Sequence, residues 1–265
     1  LRNTERIALL TDFGSRDPYV AAMKGVLASR TSVPIFDLSH EIAPFDVLEA
    51  AWFLRCVVAY WPAGTLFVCV IDPGVGSARD IVAVEREGHM FLAPDNGLLT
   101  MVLSGWPLAA GAWQRQARRV TNDTLFLPNG SATFHGRDRF APVAAALANG
   151  LEIGAVGPPA PSILTLPYEP PRYGETTTGT IVAIDRFGNA VTDIEAARVP
   201  FAPFVLQLRD LSIERLETNY ADAAPGAFMI VGSMGTIEIS VKGASAAERL
   251  HLHRLDQVQL RPLNV

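Results

Sequence analysis

The chain opens on short, dense apolar runs, separated by stretches in which apolar residues recur at helical spacing. Residues 5–12 (ERIALLTD) predict a buried strand ending at Phe13-Gly14, and residues 18–30 predict a helix with Val20, Met23 and Leu27 at helical intervals. Residues 33–39 predict a second strand. Residues 45–61 predict a longer helix, in which Val47, Ala50, Ala51, Leu54, Val57 and Val58 form one apolar stripe and Pro62 stops it. Residues 65–72 (TLFVCVID) are apolar almost throughout, the pattern of a central strand covered on both faces. Residues 81–84 and 89–92 predict a hairpin about Glu87-Gly88, and residues 96–103 and 138–148 predict further helices. This alternation predicts an α/β domain with a mostly parallel central sheet.

The pattern changes after about Gly154. Pro158, Pro159, Pro161, Pro167, Pro170 and Pro171 crowd one short stretch, which predicts an extended linker and excludes regular helix there. Beyond it the apolar residues fall into short strand-like runs at 179–185, 190–194, 204–208, 228–231, 236–241 and 257–260, with turn residues between most of them. The predicted organisation is an N-terminal α/β domain over 1–156, a proline-rich linker over 157–176 and a small all-β C-terminal domain over 177–265.

Composition narrows the function classes. With 49% hydrophobic and 18% charged residues, the 265-residue chain has enough apolar content for a sizeable core. A net charge of −5 argues against a general nucleic-acid binder. No apolar run reaches the roughly 20 residues that span a bilayer, and the N-terminus shows no signal-peptide pattern, so no membrane association is expected. Cys56 and Cys69 lie within apolar stretches and predict buried free thiols in a reducing, cytoplasmic setting. A mean hydropathy of +0.22 is high for a monomer with so few charges. It requires either a large core or apolar surface covered by another chain.

Four predicted strand ends carry polar residues just where an apolar run stops: Thr11-Asp12-Phe13-Gly14, Ile71-Asp72-Pro73-Gly74-Val75-Gly76-Ser77-Ala78-Arg79, Pro94-Asp95-Asn96-Gly97 and Thr133-Phe134-His135-Gly136-Arg137-Asp138. Asp and Gly make turns at such places, but in an open α/β sheet the carboxyl ends of strands are also where ligands bind. The loop after Asp72 lacks both the third glycine of a dinucleotide fingerprint and the Gly-Lys-Ser/Thr of a phosphate loop. His40, His89, His135, His251 and His253 form no zinc-type spacing, so no metal is expected. No Gly-x-Ser-x-Gly elbow is present, which argues against a serine hydrolase.

These four segments, with Asp185-Arg186-Phe187-Gly188-Asn189 and Gly232-Ser233-Met234-Gly235-Thr236-Ile237-Glu238-Ile239, resemble the S-adenosyl-L-methionine hydroxide adenosyltransferase family, relatives of the fluorinases and chlorinases. The resemblance runs from about Ile7 to Leu260. It implies a homotrimer whose C-terminal domain is barrel-like and whose active sites lie between subunits. It implies cleavage of S-adenosylmethionine to adenosine and L-methionine with water as co-substrate and no cofactor. By resemblance Asp72, Arg79 and His135 handle the nucleophile. The halogenases lack this intact set and carry an inserted loop, and no long insertion separates Ile81 from Thr133 here. One departure stands out: the family usually has Asn where this chain has Gly232.

The chemistry suits those residue types. The leaving group is a neutral thioether, so the demand is an activated, in-line water. His135 has an ordinary pKa near neutrality, Arg79 holds a permanent charge, and Asp72 accepts hydrogen bonds; which of them takes the proton is left open by the sequence. The resemblance, combined with functional-group chemistry, implies that Asp12 meets the ribose hydroxyls, Phe187 an adenine face, Asn189 an adenine edge or the amino-acid end, and Ser233 with Glu238 the methionine moiety. Halide as nucleophile, or a non-catalytic adenosine-binding module, are the competing readings.

Overall fold

A computed structural model of the chain describes residues 4–103 and 117–263. The chain folds as two compact units, Leu1–Pro167 and Tyr168–Val265, and the division falls inside the proline-rich stretch.

In the first unit, β1 (Arg6–Thr11), β2 (Ile35–Ser39), β3 (Thr65–Val70), β4 (Ile81–Arg86), β5 (His89–Pro94) and β6 (Ala117–Arg119) form one sheet in the order β2-β1-β3-β5-β4-β6. β2, β1, β3 and β5 run parallel, while β4 is antiparallel to both β5 and β6. The alternation of side chains along each strand feeds two cores. Ile7 and Leu9 of β1 and Leu66, Val68 and Val70 of β3 pack under α1 (Tyr19–Ala28) and α4 (Ala141–Ala148). Ala8, Leu10, Phe67 and Cys69 pack on the other face under α2 (Val47–Val58). Every residue of β3 is buried, as expected of a strand covered on both sides. The chain runs from β1 through α1 to β2 on one side, then through α2 back to β3 on the other. The strand order therefore reverses between β1 and β3, at the place where open α/β sheets bind ligands.

Local chemistry sets the element ends. Asp46 caps α2 by accepting from the Glu49 N–H at 2.9 Å. The helix expected from Asn96 begins only at Thr100, as α3 (Thr100–Leu103). Gly97 has a φ of +94°, and the Asn96 side chain bonds the Leu98 N–H, so residues 95–99 form a turn instead. The helix expected from Asp138 is preceded by a π-turn over Gly136–Phe140 that runs directly into α4. β6 has no sequence signature, since Ala-Arg-Arg carries no readable alternation.

The second unit is strand-rich, with β7 (Thr177–Ile184), β8 (Ala190–Glu195), β9 (Phe204–Leu208), β10 (Leu211–Ile213), β11 (Leu216–Glu217), β12 (Ala227–Val231), β13 (Thr236–Val241) and β14 (Gln257–Pro262). Their order is β10-β9-β14-β7-β8-β13-β12-β11. β7 turns the corner: its first half pairs with β14 and its second half with β8, giving the sheet a half-barrel form. Ile181, Ile194, Leu206, Ile237, Ile239 and Val258 fill its core. The only helix of four or more residues among the described residues of this unit is α5 (Ala246–Leu250), capped by Ser245.

Candidate functional site

Three loops converge in the first unit. β3 ends at Val70, and the next residues carry Asp72 out of the sheet; the returning loop brings Arg79 back beside it. Arg79 Nε donates to Asp72 Oδ1 at 2.7 Å, and Arg79 Nη2 donates to Asp72 Oδ2, a bidentate pair. The Asp72 and Arg79 side chains are only 5% and 9% exposed. The same Nη2 lies 2.9 Å from His135 Nδ1, at the start of the π-turn before α4. A guanidinium has only donors, so Nδ1 accepts and the neutral imidazole carries its proton on Nε2. That Nε2 is buried and has no partner among the described residues, and neither does Arg79 Nη1. Burial first, then Arg139 and Arg79, push the His135 pKa below the usual imidazole value.

Asp72 and His135 line a pocket of about 330 Å³ together with Asp12, Phe13, Tyr19, Pro44, Phe45, Val70, Val75 and Phe134. Asp12 follows the end of β1, and its Oδ2 accepts from the Phe45 N–H at 2.8 Å. Burial raises the Asp12 pKa, and the nearby Asp72 adds to the effect. Phe13, Tyr19 and Phe134 pack ring to ring with centroids 5.1–5.8 Å apart. Carboxylates among aromatic faces suit a cationic ligand. Tyr19 and Phe45 carry no signal in the sequence; Tyr19 reads there as an ordinary helix residue.

The second unit has its own pocket, about 840 Å³, and it gathers Phe187, Asn189, Ser233 and Glu238 with Asp185, Tyr220, Gly232 and Ser245. Asp185 builds one wall. Its Oδ1 accepts from the N–H groups of Phe187 and Asn189, and its Oδ2 from Asn189 Nδ2 at 2.8 Å. This tight turn leaves the Asn189 side-chain carbonyl without a partner among the described residues and holds Phe187 at the tip, 79% exposed. An aromatic ring that exposed is no part of the core. Glu238 lies on β13 and is buried; Tyr220 Oη donates to its Oε2 at 3.0 Å. Burial raises the Glu238 pKa, and burial with the Glu238 charge pushes the Tyr220 phenol up to about 12, so it remains a donor. Tyr220 escapes a sequence reading because it sits in an irregular polar loop.

Residues 7–157 match the family model of the SAM hydroxide adenosyltransferase N-terminal domain, and residues 179–259 match that of its C-terminal domain. The chain belongs to the SAM hydroxide adenosyltransferase family. An (R)-S-adenosyl-L-methionine hydrolase of Thermus thermophilus is 39% identical over 93% of this chain and 95% of its own length. A hydrolase of the same name from Salinispora tropica is 35% identical over 97% of this chain and 98% of its own. A fluorinase of an Actinoplanes species is 30% identical, over 71% of each chain. The crystal structure of an uncharacterized conserved protein from Thermotoga maritima is also similar, with a TM-score of 0.86 and 32% identity, covering 96% of this chain and 99% of that one.

Against the family, position 232 has a structural correlate. A Cβ on Gly232 would fall 1.7 Å from Glu238 Oε1. In this chain the glutamate occupies space that any side chain at 232 would contest. Among the described residues, no group of three or more His, Cys, Asp or Glu is placed to hold a metal ion. No described helix is long and apolar enough to cross a membrane.

Proposed function

We propose that the protein hydrolyses S-adenosyl-L-methionine to adenosine and L-methionine, with water attacking ribose C5′ in line with the departing sulfur. The observation that carries this reading is the buried Asp72–Arg79–His135 set beside an acidic, aromatic pocket, in a chain that matches a hydroxide adenosyltransferase family through both units. A C5′–O bond forms and the C5′–S bond breaks. The electron pair stays on sulfur, which passes from sulfonium to neutral thioether, and the water proton leaves to solvent. No general acid is needed and no cofactor is invoked.

The cluster holds donors in place of a free base. Both Asp72 oxygens already accept from Arg79, and His135 Nδ1 is committed to the same guanidinium. The His135 Nε2–H, which has no partner among the described residues, is then a donor for the attacking oxygen. Its role is to lower the energy of a hydroxide-like nucleophile and fix its direction, as preorganised donors do for developing charge. Asp12 serves the ribose hydroxyls, Phe187 the adenine face and Asn189 its edge. Ser233 and Glu238 serve the methionine end, with Glu238 opposite the ammonium.

Donors of this kind also suit a halide. Water is favoured because the hydrolase relatives match over 93% and 97% of the chain and the fluorinase over 71%. The two half-sites each hold part of the ligand set, which supports a homotrimer in which neighbouring subunits complete each site. The high mean hydropathy fits surface covered in that way. Two free thiols, Cys56 and Cys69, support a reducing, cytoplasmic setting.

Incubation with S-adenosylmethionine and chromatography of the products tests the reading. Adenosine and methionine in equal amounts, unchanged by added chloride or fluoride, are expected. A 5′-halo-5′-deoxyadenosine would shift the assignment to halide, and binding without any product would reduce the protein to a nucleoside-binding module.

A further inference from the structure

The Pro94-Asp95-Asn96-Gly97 turn stands out in the sequence like the other strand-end motifs, yet none of its residues lines either pocket. Its contacts lie elsewhere. In the sheet, β5 sits between β3 and β4, so the loop that leaves β3 and enters β4 must cross over the end of β5. Asp72 and Arg79 lie near the two ends of that loop, and the turn after β5 sits between them.

Both flanks of the pair are bonded to this turn. Asn96 Nδ2 donates to the carbonyl of Ile71 at 2.9 Å, immediately before Asp72. The Asp95 N–H donates to the carbonyl of Asp80 at 2.9 Å, immediately after Arg79. The second bond extends the β4–β5 ladder one step beyond its last pair, Ile81 with Pro94. The first has no backbone equivalent: the β3 ladders end at Val68 with Leu92 and at Val70 with Thr11. Ile71 is fully buried, so without Asn96 its carbonyl would lose this partner.

The rest of the turn is built to present that amide. Asn96 Oδ1 accepts from the Leu98 N–H at 3.2 Å, so both ends of the side chain are engaged. Gly97 has a φ of +94°, and a Cβ there would lie 2.8 Å from the Leu166 backbone N. Asp95 Oδ1 accepts from the Leu164 N–H at 2.8 Å, anchoring the turn from outside.

We infer that Asn96 is a positioning residue for the Asp72–Arg79 pair, acting through the Ile71–Asp72 peptide plane. The bond to the Ile71 carbonyl fixes the orientation of that plane and hence the direction in which Asp72 leaves the strand. Asp72 in turn orients the guanidinium that reaches His135. The consequence for turnover rests on the proposed hydrolysis; the consequence for geometry does not.

Asn96→Ser is the direct test. The serine hydroxyl can still accept from the Leu98 N–H but is too short to reach the Ile71 carbonyl. Misplacement of reacting groups by about 1 Å costs on the order of 100-fold. The expected result is a kcat lowered at least about tenfold with KM within about twofold of the parent. His135, followed by NMR, should titrate at higher pH than in the parent, because Arg79 no longer faces its Nδ1. In an Arg79→Ala background the substitution should add little further loss. An unchanged His135 titration in the folded variant, or an equal kcat loss in the Arg79→Ala background, overturns the inference. If Asn96→Ser does not fold, Asn96→Asp keeps the shape and the Leu98 contact. Its activity relative to the parent should recover as the pH falls and the new carboxyl gains a proton to donate; a flat ratio overturns the inference. A parent without hydrolase activity would remove the functional reading, and the His135 titration would still decide the positioning role.

Discussion

The two pockets differ in how much of their chemistry is complete without a ligand. In the N-terminal unit the charges are already paired: Asp72 and Arg79 are bidentate and buried, and His135 is locked into one tautomer by the same guanidinium. In the C-terminal unit Phe187 projects from a turn with most of its surface exposed, and Glu238 has one phenolic donor and a raised pKa. The first arrangement resists change when a ligand arrives, as a preorganised catalytic group should. The second leaves surface uncovered that an aromatic or cationic ligand would bury. Under the proposed function the difference would separate work, with the N-terminal cluster acting on the reacting atoms and the C-terminal pocket supplying affinity.

The largest expected effect breaks the paired side. Arg79→Ala strands a buried carboxylate and removes the donor to His135. Kinetics should show kcat down by about 100- to 1000-fold with little change in KM, and thermal melting should show a destabilised protein. A change in KM alone would erase the division between the two pockets.

Acid comes next. The His135 pKa is depressed, so the neutral ring persists below the usual value of about 6.5. As pH falls through that lower value, a proton arrives on Nδ1 and faces Arg79, and the contact is lost. The sign is the same for stability: the contribution is full above the unfolded-state pKa and disappears as pH falls through the folded one. kcat at saturating substrate should therefore fall on the acid side with its inflection below about 6.5; an inflection above that value would contradict the tautomer assigned here.

On the open side, Phe187→Ala should raise KM and the adenosine dissociation constant by about tenfold or more, as loss of one stacked base does. Because the ring is exposed, melting should not move. Glu238→Gln should raise KM several-fold and abolish any rise in the parent's KM at low pH, since the raised carboxyl must be ionised to face an ammonium. The smallest effect belongs to Gly232→Ala. The new Cβ displaces Glu238, and a KM increase of a few-fold with kcat intact is expected; no change would mean that Glu238 has an equivalent second position.

Much of the N-terminal site was legible because apolar runs stop abruptly at Thr11, Ile71 and Pro94, and parallel strands present such ends on one edge; the fourth expected strand end is not one, since His135 follows a turn-rich stretch and no strand. What the sequence does not show is the division of labour among those ends. The Pro94-Asp95-Asn96-Gly97 segment reads like the other strand ends, yet the Asn96 amide is spent on the Ile71 carbonyl. That follows from β5 lying between β3 and β4, a matter of strand order that no periodicity reports. In the C-terminal unit the six longer strands were readable from their apolar runs. β10, β11 and α5 were not, being too short at two to five residues for any period to register. Tyr220 escaped for a related reason: its partner Glu238 is eighteen residues away and meets it only through the loop that leads into β12.

In the proposed reaction, water held by the Asp72–Arg79–His135 cluster attacks C5′ directly. Turnover of S-adenosylmethionine in isotopically labelled water, with mass spectrometry of the products, tests it most directly. The label should appear in the 5′-hydroxyl of adenosine and not in methionine, and His135→Ala should form labelled adenosine at a rate at least about 100-fold lower while adenosine still binds. Unlabelled adenosine, label in methionine, or labelled adenosine formed at the parent's rate by the His135 variant would contradict this mechanism.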